Sequence, residues 1–165
     1  MELIKLWNAE VKKAYELQMS FGANENGFEN PCVGMDELMF AQYVELCRLH
    51  SLGKNLREGR VPDTKYILVD DEGFYVGLFN LRHYLNDALR TGAGHIGYGI
   101  KKEFRDKGYA TAGLSLVLAK ARELGIDVAY LSCHKDNPKS LAVQKKNGGF
   151  VDHEDENEYY VHIPL

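Results

Sequence analysis

The order of hydrophobic patterns along the chain predicts an α/β protein with a mixed sheet flanked by helices. Helix-period segments come first, between residues 10 and 53; three strand patterns follow in succession between residues 65 and 100; strand and helix then alternate. No repeat, linker or compositional break divides the 165 residues, so residues 1–165 are expected to form one domain.

Each element has a local reason. Leu3-Ile4-Lys5-Leu6 is a short strand candidate. From Glu10 to Phe21, the residues Val11, Ala14, Tyr15, Gln18 and Met19 recur at nearly the period of an amphipathic helix. Residues 22–34, rich in Asn and Gly and holding Pro31, read as loop. Asp36 is placed to cap a second helix, with Met39, Phe40, Tyr43, Val44 and Cys47 on one face, which fades near Gly53. Tyr66 to Val69, the turn residues Asp70 to Gly73, and Phe74 to Leu81 predict a hairpin. After a loop near Arg90 to Gly94, the strand His95 to Ile100 carries Gly97 and Gly99, which predict a bulge or the close approach of a backbone or ligand. The next helix places Ala110, Leu114, Val117, Leu118, Ala121 and Leu124 on its core face and stops at Gly125. Val128 to Cys133 is a strand. Asn137-Pro138 is a cap followed by proline at the first helical position, opening a short helix that stops at Asn147-Gly148-Gly149. Asp152 to Glu158 reads as an exposed acidic loop, and Tyr159 to Ile163 closes the sheet.

Composition excludes several classes. With 45% hydrophobic and 27% charged residues the chain is neither disordered nor collagenous. No apolar run approaches the ~20 residues that span a bilayer, and Met1-Glu2-Leu3-Ile4-Lys5 lacks the signature of a signal peptide, so a cytoplasmic protein with no membrane partner is expected. Cys32, Cys47 and Cys133 are odd in number and far apart, which predicts buried thiols rather than disulfides; no spacing fits a metal site, and no metal is expected. The net charge of −4 hides an asymmetry: residues 101–146 hold ten Lys and Arg against five acids, leaving −9 on the remainder. A basic segment in an acidic protein suits a polyanionic small molecule better than nucleic acid, for which no extended basic stripe exists.

The segment Arg105-x-x-Gly108-x-Ala110 lies between a strand and a helix. Gly108 and Ala110 allow a ligand close to the backbone, and the free N–H groups of a first helical turn present the positive end of the helix dipole to an anion. Neither a dinucleotide-binding G-x-G-x-x-G nor a P-loop is present. Tyr98-Gly-Ile100 followed by Arg105-Asp-Lys-Gly108-Tyr-Ala110 resembles the acyl-CoA signature R/Q-x-x-G-x-G/A of the GCN5-related N-acetyltransferase (GNAT) family. Asn137-Pro-Lys-Ser140-Leu-Ala-Val143, ending in Gly149-Phe150, is similar to the family's second motif. The order of elements over the full chain is similar as well.

The resemblance implies a largely antiparallel sheet with splayed central strands, and acetyl-CoA as cosubstrate. It implies cofactor contacts at Gly99, Ile100, Lys101, Arg105, Asp106, Lys107, Gly108, Tyr109, Ala110 and Thr111, with Asn137 and Ser140 near the thiol end. The implied reaction is direct acetyl transfer to a primary amine of a small molecule, with a non-catalytic acyl-CoA-binding module or a protein N-acetyltransferase as alternatives. An alkylamine of pKa about 10.4 must lose a proton to react. His95, where relatives often carry a Glu, is the expected base, with His134 as second candidate. The oxyanion donor is expected near Gly99 and Ile100. Many relatives use a Tyr as the acid that protonates the thiolate; Gln144 stands at that position, leaving Ser140, water or an unprotonated thiolate. Cys133 and His134 are adjacent on a strand, point to opposite faces, and so form no nucleophile–base pair. Arg82 and His83 are candidates for an acceptor carboxylate, whereas the acids at 152–158 suit a polyamine. A homodimer is a further expectation, because the family often pairs through edge strands.

Overall fold

A computed structural model describes residues 1–165. Strand β1 (Glu2–Lys5) leads through a 3-10 turn to helix α1 (Val11–Met19). A two-residue hairpin follows, β2 (Asn24–Glu25) and β3 (Phe28–Glu29), and then helix α2 (Glu37–Ser51). Strands β4 (Asp63–Val69) and β5 (Tyr75–Arg82), the short helix α3 (Asp87–Arg90), strand β6 (Ile96–Ile100) and helix α4 (Tyr109–Glu123) come next. Strand β7 (Val128–His134), helix α5 (Pro138–Lys146), and strands β8 (Phe150–Glu154) and β9 (Glu158–Pro164) complete the chain.

The strands form two main sheets. One has the order β1-β4-β5-β6 and the other β7-β9-β8, with every pairing antiparallel. The sheets touch through β6 and β7 at a single isolated bridge, Gly94 with Leu131, and part beyond it.

Strand β4 shows how two layers of core arise from one pattern. Side chains alternate across a strand: Tyr66 and Leu68 face α4, whereas Ile67 and Val69 face α1 and α2. On the α4 side, Leu114, Val117, Leu118 and Ala121 pack on Phe79, Leu131 and Val161. On the other side, Phe40, Val44 and Cys47 of α2 and Ala14 and Leu17 of α1 close over Ile67 and Leu78. Asp36 caps α2 through Met39 N–H at 2.8 Å, and Asn137 caps α5 through Ser140 N–H at 3.2 Å, as the sequence predicts.

Five local expectations are corrected. Residues 22–34 are not all loop: the αL residues Asn26 and Gly27 turn β2 into β3. Helix α3, four residues capped by Asn86, lies in the segment read as loop and is too short for a periodicity signal. Asp152, His153 and Glu154 belong to β8, an edge strand on which charges oppose pairing with another chain. Met39 and Leu124 are exposed rather than in the core, Leu124 because it lies at the C-cap of α4. The pairing of β6 with β5 runs without a bulge from Leu81–Ile96 to Gly77–Ile100; a register shift falls instead at Asp152 in β8.

Gly113 fixes how closely α4 approaches the sheet. A Cβ there would collide with the ring of Phe79 and lie 3.0 Å from Leu68. Gly113→Val should therefore lower stability by about 1–3 kcal/mol through overpacking, read as a lower urea midpoint at unchanged slope.

Candidate active site

The turn between β6 and α4 leaves backbone donors free at the start of a helix. Asp106 (φ 61°) and Gly108 (φ 85°) both adopt positive φ, and Gly108 is the N-cap of α4. Whereas α2, α3 and α5 carry Asp36, Asn86 and Asn137 as side-chain caps, α4 has none, and no acid lies in its first turn. Its first closing bond runs from Ala112 N–H to Gly108 O at 3.1 Å, so the N–H groups of Tyr109, Ala110 and Thr111 have no partner within the helix. The two acids of the turn are both paired, Asp106 with Lys139 at 2.8 Å and Glu103 with Lys101 at 3.0 Å.

The basic side chains around this turn are less free than the sequence implies. Arg105 Nε donates to Ile100 O at 2.8 Å, and its guanidinium pairs with Glu25 on β2. Glu25 also accepts Gly22 N–H, and this bond and Arg105 together hold its carboxyl below the ordinary range. Arg105 is thus a brace of the turn, and the backbone, not this side chain, offers its free donors. Lys101 pairs with Glu103 at 3.0 Å, and Lys107 lies 5.5 Å from the Phe104 ring centroid. The Tyr109 hydroxyl donates to Asp70 at 3.2 Å, and Thr111 O accepts from Asn147 at 3.1 Å. Asn137 spends its Oδ1 on the cap of α5.

Between β6 and β7 a polar cluster spans the gap. The Tyr98 ring stacks on Phe79, centroids 5.5 Å apart, and its hydroxyl lies 2.9 Å from Ser140 Oγ on α5. Gln144 Nε2 reaches Ser140 Oγ at 3.3 Å and Ser132 O at 3.4 Å, while Gln144 Oε1 is buried without a partner. Burial raises the Tyr98 pKa, only partly offset by hydrogen bonds from Ser140 and Gln144, so the phenol holds its proton. Burial likewise pushes the Cys133 thiol up to about 11, which excludes it as a thiolate nucleophile at neutral pH. Sequence reasoning missed Tyr98: its place between two glycines was visible, but its reach to Ser140 depends on how the two sheets meet.

The backbone of β6 supplies further donors. Lys101 N–H donates to Val76 O at 2.9 Å. Bonding alternates along an antiparallel pair, so Gly97 and Gly99 also face β5, and the N–H groups of Tyr98 and Ile100 turn toward the cleft. On the face opposite α4, a Cβ at Gly97 would meet nothing within 4 Å, whereas one at Gly99 would lie 3.0 Å from Phe21 and 3.2 Å from Phe28. The tip of the β2–β3 hairpin at Gly27 sits against the ring of His134, whose Nε2 is 3.7 Å from Glu158 Oε1.

His95 does not fit the role of base. It is 6% exposed, its Nδ1 accepts Tyr130 N–H at 3.0 Å, and its own N–H donates to Tyr130 O at 2.6 Å. Burial, with the charges of Arg82 and Arg90, lowers its pKa to about 4. It is a framework residue at the bridge between the sheets. Arg82 and His83 are also engaged, Arg82 donating to Gly94 O at 3.0 Å and His83 Nε2 lying 2.8 Å from Thr64 Oγ1.

The sequence profile of the acetyltransferase (GNAT) domain matches residues 41–149, two thirds of the chain. The chain therefore belongs to the GNAT family of acetyltransferases. It is an acetyl-CoA-dependent N-acetyltransferase of that family. Among solved structures, it is similar to the N-acetyltransferase PseH of Campylobacter jejuni in complex with acetyl coenzyme A, with 14% identity, 99% of this chain and 98% of that one covered, and a TM-score of 0.64. A spermidine N-acetyltransferase from Vibrio cholerae, in complex with CoA and spermine, matches with 18% identity, 99% and 94% coverage, and a TM-score of 0.64. A GNAT-family acetyltransferase from Bacillus anthracis matches at 19% identity over 79% of this chain and 75% of that one, with a TM-score of 0.56. No functionally curated protein sequence matches the chain. No helix is long and apolar enough to cross a membrane.

The buried His95 sets a pH dependence of stability. An unfolded histidine takes up its proton near pH 6.5, but His95 in the folded protein does so only near pH 4. The unfolded state binds more protons in this window, so the stability His95 confers is complete above pH 6.5 and lost progressively as pH falls to 4, on the order of 3 kcal/mol. Urea midpoints measured from pH 7.5 to 4.5 should fall in the wild type and flatten in His95→Gln.

Proposed function

We propose that this protein moves the acetyl group of acetyl-CoA to a primary amine of a small molecule, directly, with both substrates bound at once. The observation that carries the reading is a cleft with two working faces. The uncapped amides of α4 and the Tyr98–Ser140–Gln144 cluster lie on one side of the sheet, and the open face of Gly97 lies on the other. The amides of Tyr109, Ala110 and Thr111 hold the pyrophosphate of the cosubstrate, within the basic segment that offsets its charge. The V. cholerae relative, which holds CoA and spermine, supports a small amine as acceptor.

The amine nitrogen bonds to the thioester carbonyl carbon as the C–S bond breaks. Tyr98 or Ile100 N–H donates to the carbonyl oxygen as it gains charge. The amine proton passes to His134, half-exposed and steadied by Glu158. The Tyr98 hydroxyl gives its proton to the departing thiolate and is reprotonated from solvent through Ser140. Tyr98 thereby supplies, from the opposite strand, the hydroxyl that Gln144 lacks. It also argues against the alternative of a non-catalytic acyl-CoA-binding module.

Calorimetric titration with acetyl-CoA should give saturable one-to-one binding that Gly108→Glu abolishes while its far-UV dichroism stays native. Absence of binding to folded wild-type protein would sink the reading. Tyr98→Phe, which keeps the stack on Phe79, should lower kcat about tenfold to a hundredfold with KM for acetyl-CoA within twofold of wild type. An unchanged kcat removes Tyr98 from the chemistry.

A further inference from the structure

A second concavity lies at the closed end of the cleft, away from the uncapped end of α4. It is a pocket of about 490 Å³ between α3, the start of β7 and the loop that follows α4. Its lining includes the polar side chains of His95, Arg90 and Tyr130 and the apolar ones of Leu124, Ile126 and Val128.

His95 is more than nine-tenths buried, and its Nδ1 is taken by Tyr130 N–H. The neutral ring therefore carries its proton on Nε2, and that N–H finds no partner within the chain. Gln144 Oε1 is the one buried side-chain polar atom left without a partner, so the His95 Nε2–H opens to water in the pocket, and an acceptor that enters takes the place of that water. Arg90 lies 5.8 Å from the Tyr130 ring centroid and joins no ion pair. Arg82 lies outside the lining, its guanidinium spent on Gly94 O, and adds positive potential. His83 lines the rim but holds Thr64. The apolar lining includes Leu124, 46% exposed, an open hydrophobic surface. Asp127 is the one acid of the lining, and it disfavours a dianion such as phosphate.

We propose that this pocket binds the carboxylate of a small, otherwise apolar acid. One oxygen accepts from His95 Nε2–H, the other pairs with Arg90, and the apolar body lies on Leu124, Ile126 and Val128. None of these residues belongs to the turn before α4 or to the Tyr98 cluster, so the site is tested apart from the transfer reaction proposed above. A ligand there grips His95 and Tyr130, the pair that holds the two sheets together at the bridge.

The test is an NMR titration of the ¹⁵N-labelled full chain at pH 7.5 with benzoate, its neutral isostere benzamide, and inorganic phosphate. Benzoate should move the Tyr130 and Arg90 amides and the His95 Nε2–H signal saturably in the millimolar range, and benzamide and phosphate should not. Arg90→Gln, a change at an exposed position, should weaken benzoate at least fivefold and leave acetyl-CoA binding unchanged. Unmoved signals overturn the proposal, as do equal effects from benzamide or phosphate, or undiminished benzoate binding in Arg90→Gln. Transfer kinetics then separate the sources of the carboxylate: competition of benzoate against the amine marks an acceptor's own tail, and its absence marks a separate ligand.

Discussion

The site depends on the two sheets being joined at one point and nowhere else. Gly94 and Leu131 form the only bridge between them, and the reciprocal bonds of His95 and Tyr130 pin it. Gly94 has φ 65°, and a Cβ there would run into Tyr130 O, so both its conformation and the approach of β7 require glycine. Past this point β6 and β7 diverge, and strand N–H groups that an unbroken sheet would consume are left facing a cleft. A buried, neutral imidazole suits such a joint, because it bonds to the neighbouring backbone without bringing a charge into the interior.

The divergence also explains why chemistry gathers where it does. A helix whose first amides have no cap follows β6, and a helix whose cap is built in follows β7. The first leaves backbone N–H groups open, and the second brings Ser140 and Gln144 against Tyr98. Charge follows the same division. Basic residues concentrate on the segment from Lys101 to Lys146, while acids populate β8 and the turn after it, on the far edge of the second sheet.

Local chemistry made much of the fold legible in the sequence. Asp36, Asn137-Pro138 and Gly125 mark helix ends because capping is decided within four residues, and the β4–β5 hairpin is announced by Asp70 to Gly73. The turn that opens α4 at Gly108 is legible for the same reason. What failed depends on contacts distant in sequence. Nothing near Glu25 shows that it meets Arg105 eighty residues away, and nothing near His95 shows that Tyr130 occupies its Nδ1. The alternation that reads β4 correctly misreads β8, because an edge strand has little to bury and its charges resemble a loop. Leu124 was counted as core from its spacing, but the helix ends beneath it.

The pairing of Arg105 with Glu25 joins two regions that would otherwise be separate modules. Arg105 holds Ile100 O, the last carbonyl of β6, while Glu25 holds the backbone at Gly22, and Phe28 of the same hairpin rests on Gly99. The hairpin and the turn before α4 are thus one mechanical unit. A designer who replaces residues 22–30 with a foreign segment also removes the partner of Arg105. Such a chimera inherits a loosened turn before α4 together with its new loop, unless an acid is kept at position 25.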